Sequence, residues 1–158
     1  MIQITDIPAE GYEEVRRAAD PDSGLLAYIA VHSTVLGPAL GGARLWPYES
    51  EEAALEDVLR LAKGMTFKAA CAGLELGGGK AVILADPTRK SDELFEALGE
   101  FIESFDGRYI TAEDVNTKPA DMNAVARKTR HVSGLAGKSG NPSPYTAHGC
   151  FLGLKAVL

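Results

Sequence analysis

The sequence predicts an α/β fold, a three-layer domain in which a mixed, mostly parallel sheet is covered by helices on both faces. Three observations lead there. Two strongly periodic helical segments, at 50–63 and 91–105, alternate with short apolar runs at 81–85 and 109–112, and strands that alternate with helices of this length need crossover connections. The run 25–31 is nearly continuous in apolar residues and short, which favours a strand buried on both faces over a helix. Of the 158 residues, 46% are hydrophobic and 24% charged, the balance of a soluble domain with one sizeable core.

Taken in chain order, 12–19 reads as a short helix bounded by the turn formers Asp20-Pro21-Asp22-Ser23-Gly24. The strand 25–31 follows. Gly37-Pro38-Ala39-Leu40-Gly41-Gly42 reads as a loop whose adjacent glycines either present bare backbone amides to a ligand or serve a turn. The helix 50–63 has Ser50 as N-cap, Glu51 and Glu52 in its first turn, and apolar residues at 54, 55, 58, 59 and 62, before Lys63 and Gly64 close it. The second helix has Ser91 as cap and Leu94, Phe95, Leu98, Phe101, Ile102 and Phe105 at a 3.6-residue period, and Gly107 stops it. Strand 81–85 starts directly after Gly77-Gly78-Gly79-Lys80, and strand 109–112 runs into Glu113-Asp114. Ser143-Pro144 opens a last helix that reaches Val157-Leu158 without a stop signal, as expected of a chain that continues.

Several function classes find no support. Sixteen Lys and Arg stand against 22 Asp and Glu, a net charge of −6, so the basic surplus that binds phosphate backbones is missing. No apolar stretch approaches the about 20 residues that cross a bilayer, and no basic segment with an apolar signal core follows Met1. Cys71 and Cys150 lie far apart, as suits reduced thiols in a cytoplasm. A Walker reading of Gly79-Lys80 needs glycine at 74 and Ser or Thr at 81, where Leu74 and Ala81 stand; a dinucleotide fingerprint from Gly77 needs glycine at Val82. His32, His131 and His148 have no Cys or carboxylate at metal-ligand spacing. No Gly-x-Ser-x-Gly elbow exists, which leaves acyl transfer without a nucleophile.

What remains is charge in awkward places: Lys68 inside an apolar segment, Lys80 at the head of an apolar strand, and Asp114 at the tail of another. Each has an ordinary reading, as a solvated strand-end lysine or a turn aspartate. In a parallel sheet, however, strand carboxyl ends face the ligand crevice. Two lysines and an aspartate converging there could hold an anionic substrate and move protons, provided burial and like charge lower one lysine pKa.

Four ordered motifs carry a resemblance: Gly37-Pro38-Ala39-Leu40-Gly41-Gly42-Ala43-Arg44, Gly64-Met65-Thr66-Phe67-Lys68-Ala69, Gly77-Gly78-Gly79-Lys80 and Thr111-Ala112-Glu113-Asp114-Val115. With Ser139-Gly140-Asn141-Pro142-Ser143-Pro144 they resemble, from about Gly37 to the end, the amino-terminal domain of the Glu/Leu/Phe/Val amino acid dehydrogenases, above all the leucine, valine and phenylalanine branch. The resemblance implies NAD-dependent oxidative deamination of an L-amino acid to a 2-oxo acid and ammonia. It implies that Lys68 pairs with the substrate carboxylate, supported by Gly41, Gly42 and Met65, that Lys80 is the general base for water, and that Asp114 exchanges protons with the substrate nitrogen. Leu40 and Ala112 match positions that shape the side-chain pocket, and an apolar residue at 40 favours a branched or aromatic apolar amino acid. By the same resemblance residues 1–142 form the substrate-binding and homo-oligomerising domain, and 143–158 start the helix that leads to the family's NAD-binding Rossmann domain, absent from these residues. A stand-alone amino-acid-binding or assembly module is the alternative, but a pure scaffold has no need of buried charges.

Overall fold

A computed structural model describes residues 1–135, 137–138 and 140–158; Ser139 of the last motif lies outside them. Six strands, β1 (Gln3–Asp6), β2 (Glu14–Asp20), β3 (Leu25–Ser33), β4 (Ala39–Trp46), β5 (Gly77–Leu84) and β6 (Tyr109–Glu113), form one sheet in the order β1-β2-β3-β5-β4-β6. Successive pairs from β1 to β5 are antiparallel, and β4 lies parallel between β5 and β6. The sheet is therefore mixed, with β2, β4, β5 and β6 pointing one way and β1 and β3 the other.

Helix α1 (Glu51–Cys71) covers one face, where Ala54, Val58 and Ala62 meet Val15, Tyr28, Ala30 and Val82. Helices α2 (Asp92–Glu103) and α3 (Pro119–Val125) cover the other with Leu94, Phe95, Leu98, Phe101, Ile102, Met122 and Val125 against Ile29, Leu45 and Ile83. Each such side chain taken out of water contributes about 1.5–3 kcal/mol. The three layers of the predicted α/β fold are present. The Ser50 hydroxyl accepts from Ala53 N at 3.1 Å and that of Ser91 from Leu94 N at 3.2 Å, so both predicted caps form. Helix α4 (Ser143–Val157) is exposed along its whole length, including Phe151 and Leu154.

Three expectations are corrected. Residues 12–19 do not form a helix; most of them belong to β2, because the turn at Pro21–Gly24, with Gly24 at φ +75°, folds this segment back to pair along β3. Glu, Arg and Ala favour a helix locally, and the pairing overrides that weak preference. Gly64 does not close α1, which continues to Cys71; a mid-helix glycine costs about 1 kcal/mol, less than the packing of Ala62 and Ala69 on either side returns. The helix ends before Gly73 at φ +64°, where Leu74 N bonds back to Ala69 O. The predicted loop 37–42 is a loop only as far as Pro38, since β4 begins at Ala39 and carries both glycines inside the sheet. Both cysteines are exposed and free.

Candidate functional site

Side chains alternate across a strand, and the register decides which residues share a face. Ala39, Ala43, Ala81 and Tyr109 belong to the core under α2. Leu40, Gly42 and Arg44 of β4, Lys80 of β5, and Ile110 and Ala112 of β6 therefore face α1, with Leu40 opposite Ile110 and Gly42 opposite Ala112. Asp114 continues this row just past the end of β6. The absence of a side chain at Gly42 has a clear role, because a Cβ there would lie 2.6 Å from Glu113 O and 2.8 Å from Asp114 Cβ. The bare backbone lets the tail of β6 close in and carry its carboxylate to Lys80.

Lys80 Nζ stands 3.0 Å from Asp114 Oδ2, with the lysine only 4% exposed. Burial lowers the Lys80 pKa, against the pull of Asp114 and with the help of the Arg44 charge. For Asp114, burial pushes the pKa up, but the Lys80 and Arg44 cations outweigh it and hold the carboxyl below its ordinary range. Asp114 is thus ionised at rest, and burial biases the lysine toward giving up its proton. Arg44 Nε reaches the same Asp114 Oδ2 at 3.0 Å, while its Nη1 lies 3.1 Å from Asp57 Oδ2. Asp57, on the inner stripe of α1, also accepts from the Tyr48 hydroxyl at 2.6 Å and pairs with Arg60 at 2.5 Å.

The other predicted residues fall in two places. Lys68 is exposed on α1, not embedded in apolar surroundings, and makes no ion pair among the described residues. A cavity of about 190 Å³ gathers Leu40, Met65 and Lys68 with Ala69, Leu74 and Leu76. Gly41 points to the opposite face: its carbonyl accepts from the Tyr109 hydroxyl at 2.6 Å, and a Cβ on it would sit 1.7 Å from Gly79 O. The structure thus brings together Lys80, Asp114, Gly42 and Ala112, sets Leu40, Met65 and Lys68 around a neighbouring cavity, and turns Gly41 into the sheet. Arg44, Tyr48 and Asp57 are the residues that sequence reasoning missed. An aspartate one position before Val58, inside an apolar stripe, was the available signal.

Gly77, Gly78 and Gly79 are no phosphate cradle. They lie within β5, and added Cβ atoms would strike Ser33 O, the Thr66 backbone and the Tyr109 ring; the space a pyrophosphate needs is filled by protein, so these residues do not fit a dinucleotide. Among the described residues no group of three His, Cys, Asp or Glu is placed to hold a metal ion, and no helix is long and apolar enough to cross a membrane.

Comparison with known proteins adds the following. The profile of the Glu/Leu/Phe/Val dehydrogenase dimerisation domain matches residues 6–131. The chain is 57% identical to a leucine dehydrogenase of Geobacillus stearothermophilus over 150 residues, covering 92% of this chain and 41% of that protein. It is 48% identical to an L-tryptophan dehydrogenase of Nostoc punctiforme over 158 residues, covering all of this chain and 45% of that one. The crystal structure of the L-tryptophan dehydrogenase from Nostoc punctiforme superposes with a TM-score of 0.78 at 47% identity, over 93% of this chain and 42% of that chain. The chain spans less than half the length of these relatives.

Proposed function

The chain belongs to the Glu/Leu/Phe/Val dehydrogenase family, and on that premise we propose that it is the substrate-binding half of an NAD-dependent L-amino acid dehydrogenase acting on a branched or aromatic apolar amino acid. The observation that carries this reading is the buried Lys80–Asp114 pair at 3.0 Å, on the sheet face beside the cavity rimmed by Lys68. An exposed lysine with no ion-pair partner among the described residues suits a carboxylate ligand, while a buried lysine with a lowered pKa suits a base, so the two cations divide the work. Lys68 would hold the α-carboxylate, with Met65 packing beside it. Gly42 and Ala112 would leave room for the α-carbon, and Leu40 would meet the side chain. Gly41 would contribute only through the backbone geometry of β4.

During deamination Asp114 would first take a proton from the substrate ammonium, Lys80 would take a proton from the water that adds to the imino carbon, and Asp114 would return its proton to the nitrogen that leaves as ammonia. In the resting domain Asp114 favours the charged form of Lys80, against the effect of burial. Engagement of Asp114 with the substrate nitrogen would release the lysine to act as base. The hydride acceptor would be held by a segment outside these 158 residues, so residues 1–142 would serve substrate binding and assembly and 143–158 would lead into that cofactor-binding segment. Assembly into a homo-oligomer is supported by the matched domain's description as a dimerisation domain, and the reduced, exposed thiols are in keeping with a cytoplasmic protein.

The test is kinetic, on the full-length protein with L-leucine, L-valine and L-tryptophan. Lys68→Ala is expected mainly to raise KM and Lys80→Ala mainly to lower kcat. Equal damage to both constants in both variants, or no turnover of any of the three amino acids by the unmodified enzyme, refutes the assignment.

A further inference from the structure

Asp114 lies between two open spaces. On one side, beyond Arg44, a cleft of about 540 Å³ is lined by Trp46, Tyr48, Asp57 and Val115. On the other, a cleft of about 650 Å³ is lined by Asp114 itself with Thr117, Lys118 and Asn141. The backbone of Asp114 is anchored, since its N–H donates to Thr117 Oγ1 at 2.8 Å and that hydroxyl donates to Ala43 O at 2.9 Å. Packing does not fix the carboxylate in the same way. Its two close contacts are with cations, and both meet Oδ2: Lys80 Nζ and Arg44 Nε, each at 3.0 Å. Lys80 is the weaker anchor by chemistry, because an ammonium on a four-carbon stem is a rotatable point charge and because a base must at some stage be neutral. Arg44 has the opposite properties. Its guanidinium is planar and always charged, and two edges of the fork are used at once, one on Asp114 and one on Asp57. Asp57 is itself fixed, 9% exposed, by the Tyr48 hydroxyl and by Arg60 one turn along α1.

We propose that Arg44, clamped by Asp57 and Tyr48, is the positioning residue of Asp114, holding Oδ2 beside Lys80 throughout the reaction and leaving Oδ1 for proton exchange with the substrate nitrogen. The proposal rests on the role given to Asp114 above. It also assigns a purpose to the burial of Asp57: α1 carries a carboxylate in its inner stripe so that an arginine on the neighbouring strand has one fixed direction. When Lys80 loses its proton, Arg44 is the charge that keeps Asp114 from turning into the outer cleft toward Lys118.

The experiment uses the full-length enzyme and two readouts, steady-state kinetics and a crystal structure of each variant. Arg44→Met is expected to lower kcat on the order of 10²-fold, since displacement by about 1 Å costs that much, while KM for the amino acid changes by less than about threefold because Lys68 is untouched. Its structure is expected to show the Asp114 carboxylate withdrawn from Lys80. Asp57→Asn, which frees Arg44 without touching Asp114, is expected to lower kcat by about tenfold, again at nearly constant KM. Arg44→Lys restores charge but not the fork, and is expected to recover only part of the loss. Wild-type kcat in Arg44→Met, full recovery in Arg44→Lys, or an unmoved Asp114 in the Arg44→Met crystal overturns the proposal. If the unmodified enzyme turns over no amino acid, the functional reading fails, and the position of Asp114 in the variant crystals still decides whether Arg44 sets it.

Discussion

Replacing Gly42 by alanine adds one methyl group at the place where the sheet brings its catalytic candidates together. The new Cβ would lie 2.6 Å from Glu113 O and 2.8 Å from Asp114 Cβ. Ordinary van der Waals contact begins at 3.4 Å, and the nearer of these atoms is backbone, so relief requires the tail of β6 to move away from β4. The hydrogen bonds that hold that tail, Asp114 N to Thr117 Oγ1 and Thr117 Oγ1 to Ala43 O, resist the movement. Overpacking of this kind costs about 1–3 kcal/mol. The same movement withdraws Asp114 from Lys80, with which it makes contact at 3.0 Å, and a displacement of about 1 Å at a reacting group costs on the order of 10²-fold in rate. The expected result for the full-length Gly42→Ala enzyme is therefore a melting temperature lowered by several degrees, together with a kcat loss far larger than the unfolded fraction accounts for. The assay is a thermal melt followed by kcat at a temperature where the variant is fully folded. A variant with both properties unchanged would show that the close approach of β6 is not what Gly42 provides.

Gly64→Ala is the counterpart, since nothing lies within 4 Å of its Cβ position and it sits inside α1; it is expected to stabilise the protein by about 0.5–1 kcal/mol, read as a raised melting temperature with kcat unaltered. Hydrogen bonds from Arg17 and Tyr28 lower the Glu51 pKa from 4.5 to about 2. Between these values the unfolded chain binds the proton that the folded one refuses, so the stability Glu51 contributes is complete above about 4.5 and is lost as the pH falls toward 2; Glu51→Gln is expected to flatten that part of an acid-denaturation curve. The 158-residue chain by itself is expected to form no NADH from NAD and L-leucine, measured by absorbance, because its glycine-rich strand is packed against Ser33, Thr66 and Tyr109.

The elements legible in the sequence were those whose local signals agree with their surroundings. Helices α1 and α2 each carry a serine cap, acidic residues in the first turn and an apolar stripe, and both formed. The segments misread were those where a non-local partner decides. In 12–19 the composition is helical, and pairing with β1 and β3 makes most of it a strand. In 37–42 the glycines suggest a loop, yet each is demanded by the approach of another strand, which no local pattern can announce: Gly41 by Gly79 and Gly42 by Glu113. Lys80 and Asp114 could be singled out because charge beside an apolar run is conspicuous. Arg44 could not, since an arginine just past a glycine-rich stretch is ordinary and its meaning depends on the alternation of β4 with Leu40 and Gly42.

The placement of the two lysines supports the different roles proposed for them. Lys80 enters from the middle of a central strand, where any side chain on that face lies between the sheet and α1, and it is 4% exposed. Desolvation at such a position penalises the ammonium, so the site pays for its charge with Asp114 nearby. Lys68 leaves from α1 on the far side of the small cavity, where water reaches it and no carboxylate among the described residues competes for it. On the proposed reading, a substrate carboxylate would gain an ion pair there without breaking one. The distance along the chain between the two lysines is short, but one sits under a helix and the other on its surface, and burial of the first is what penalises its ammonium form.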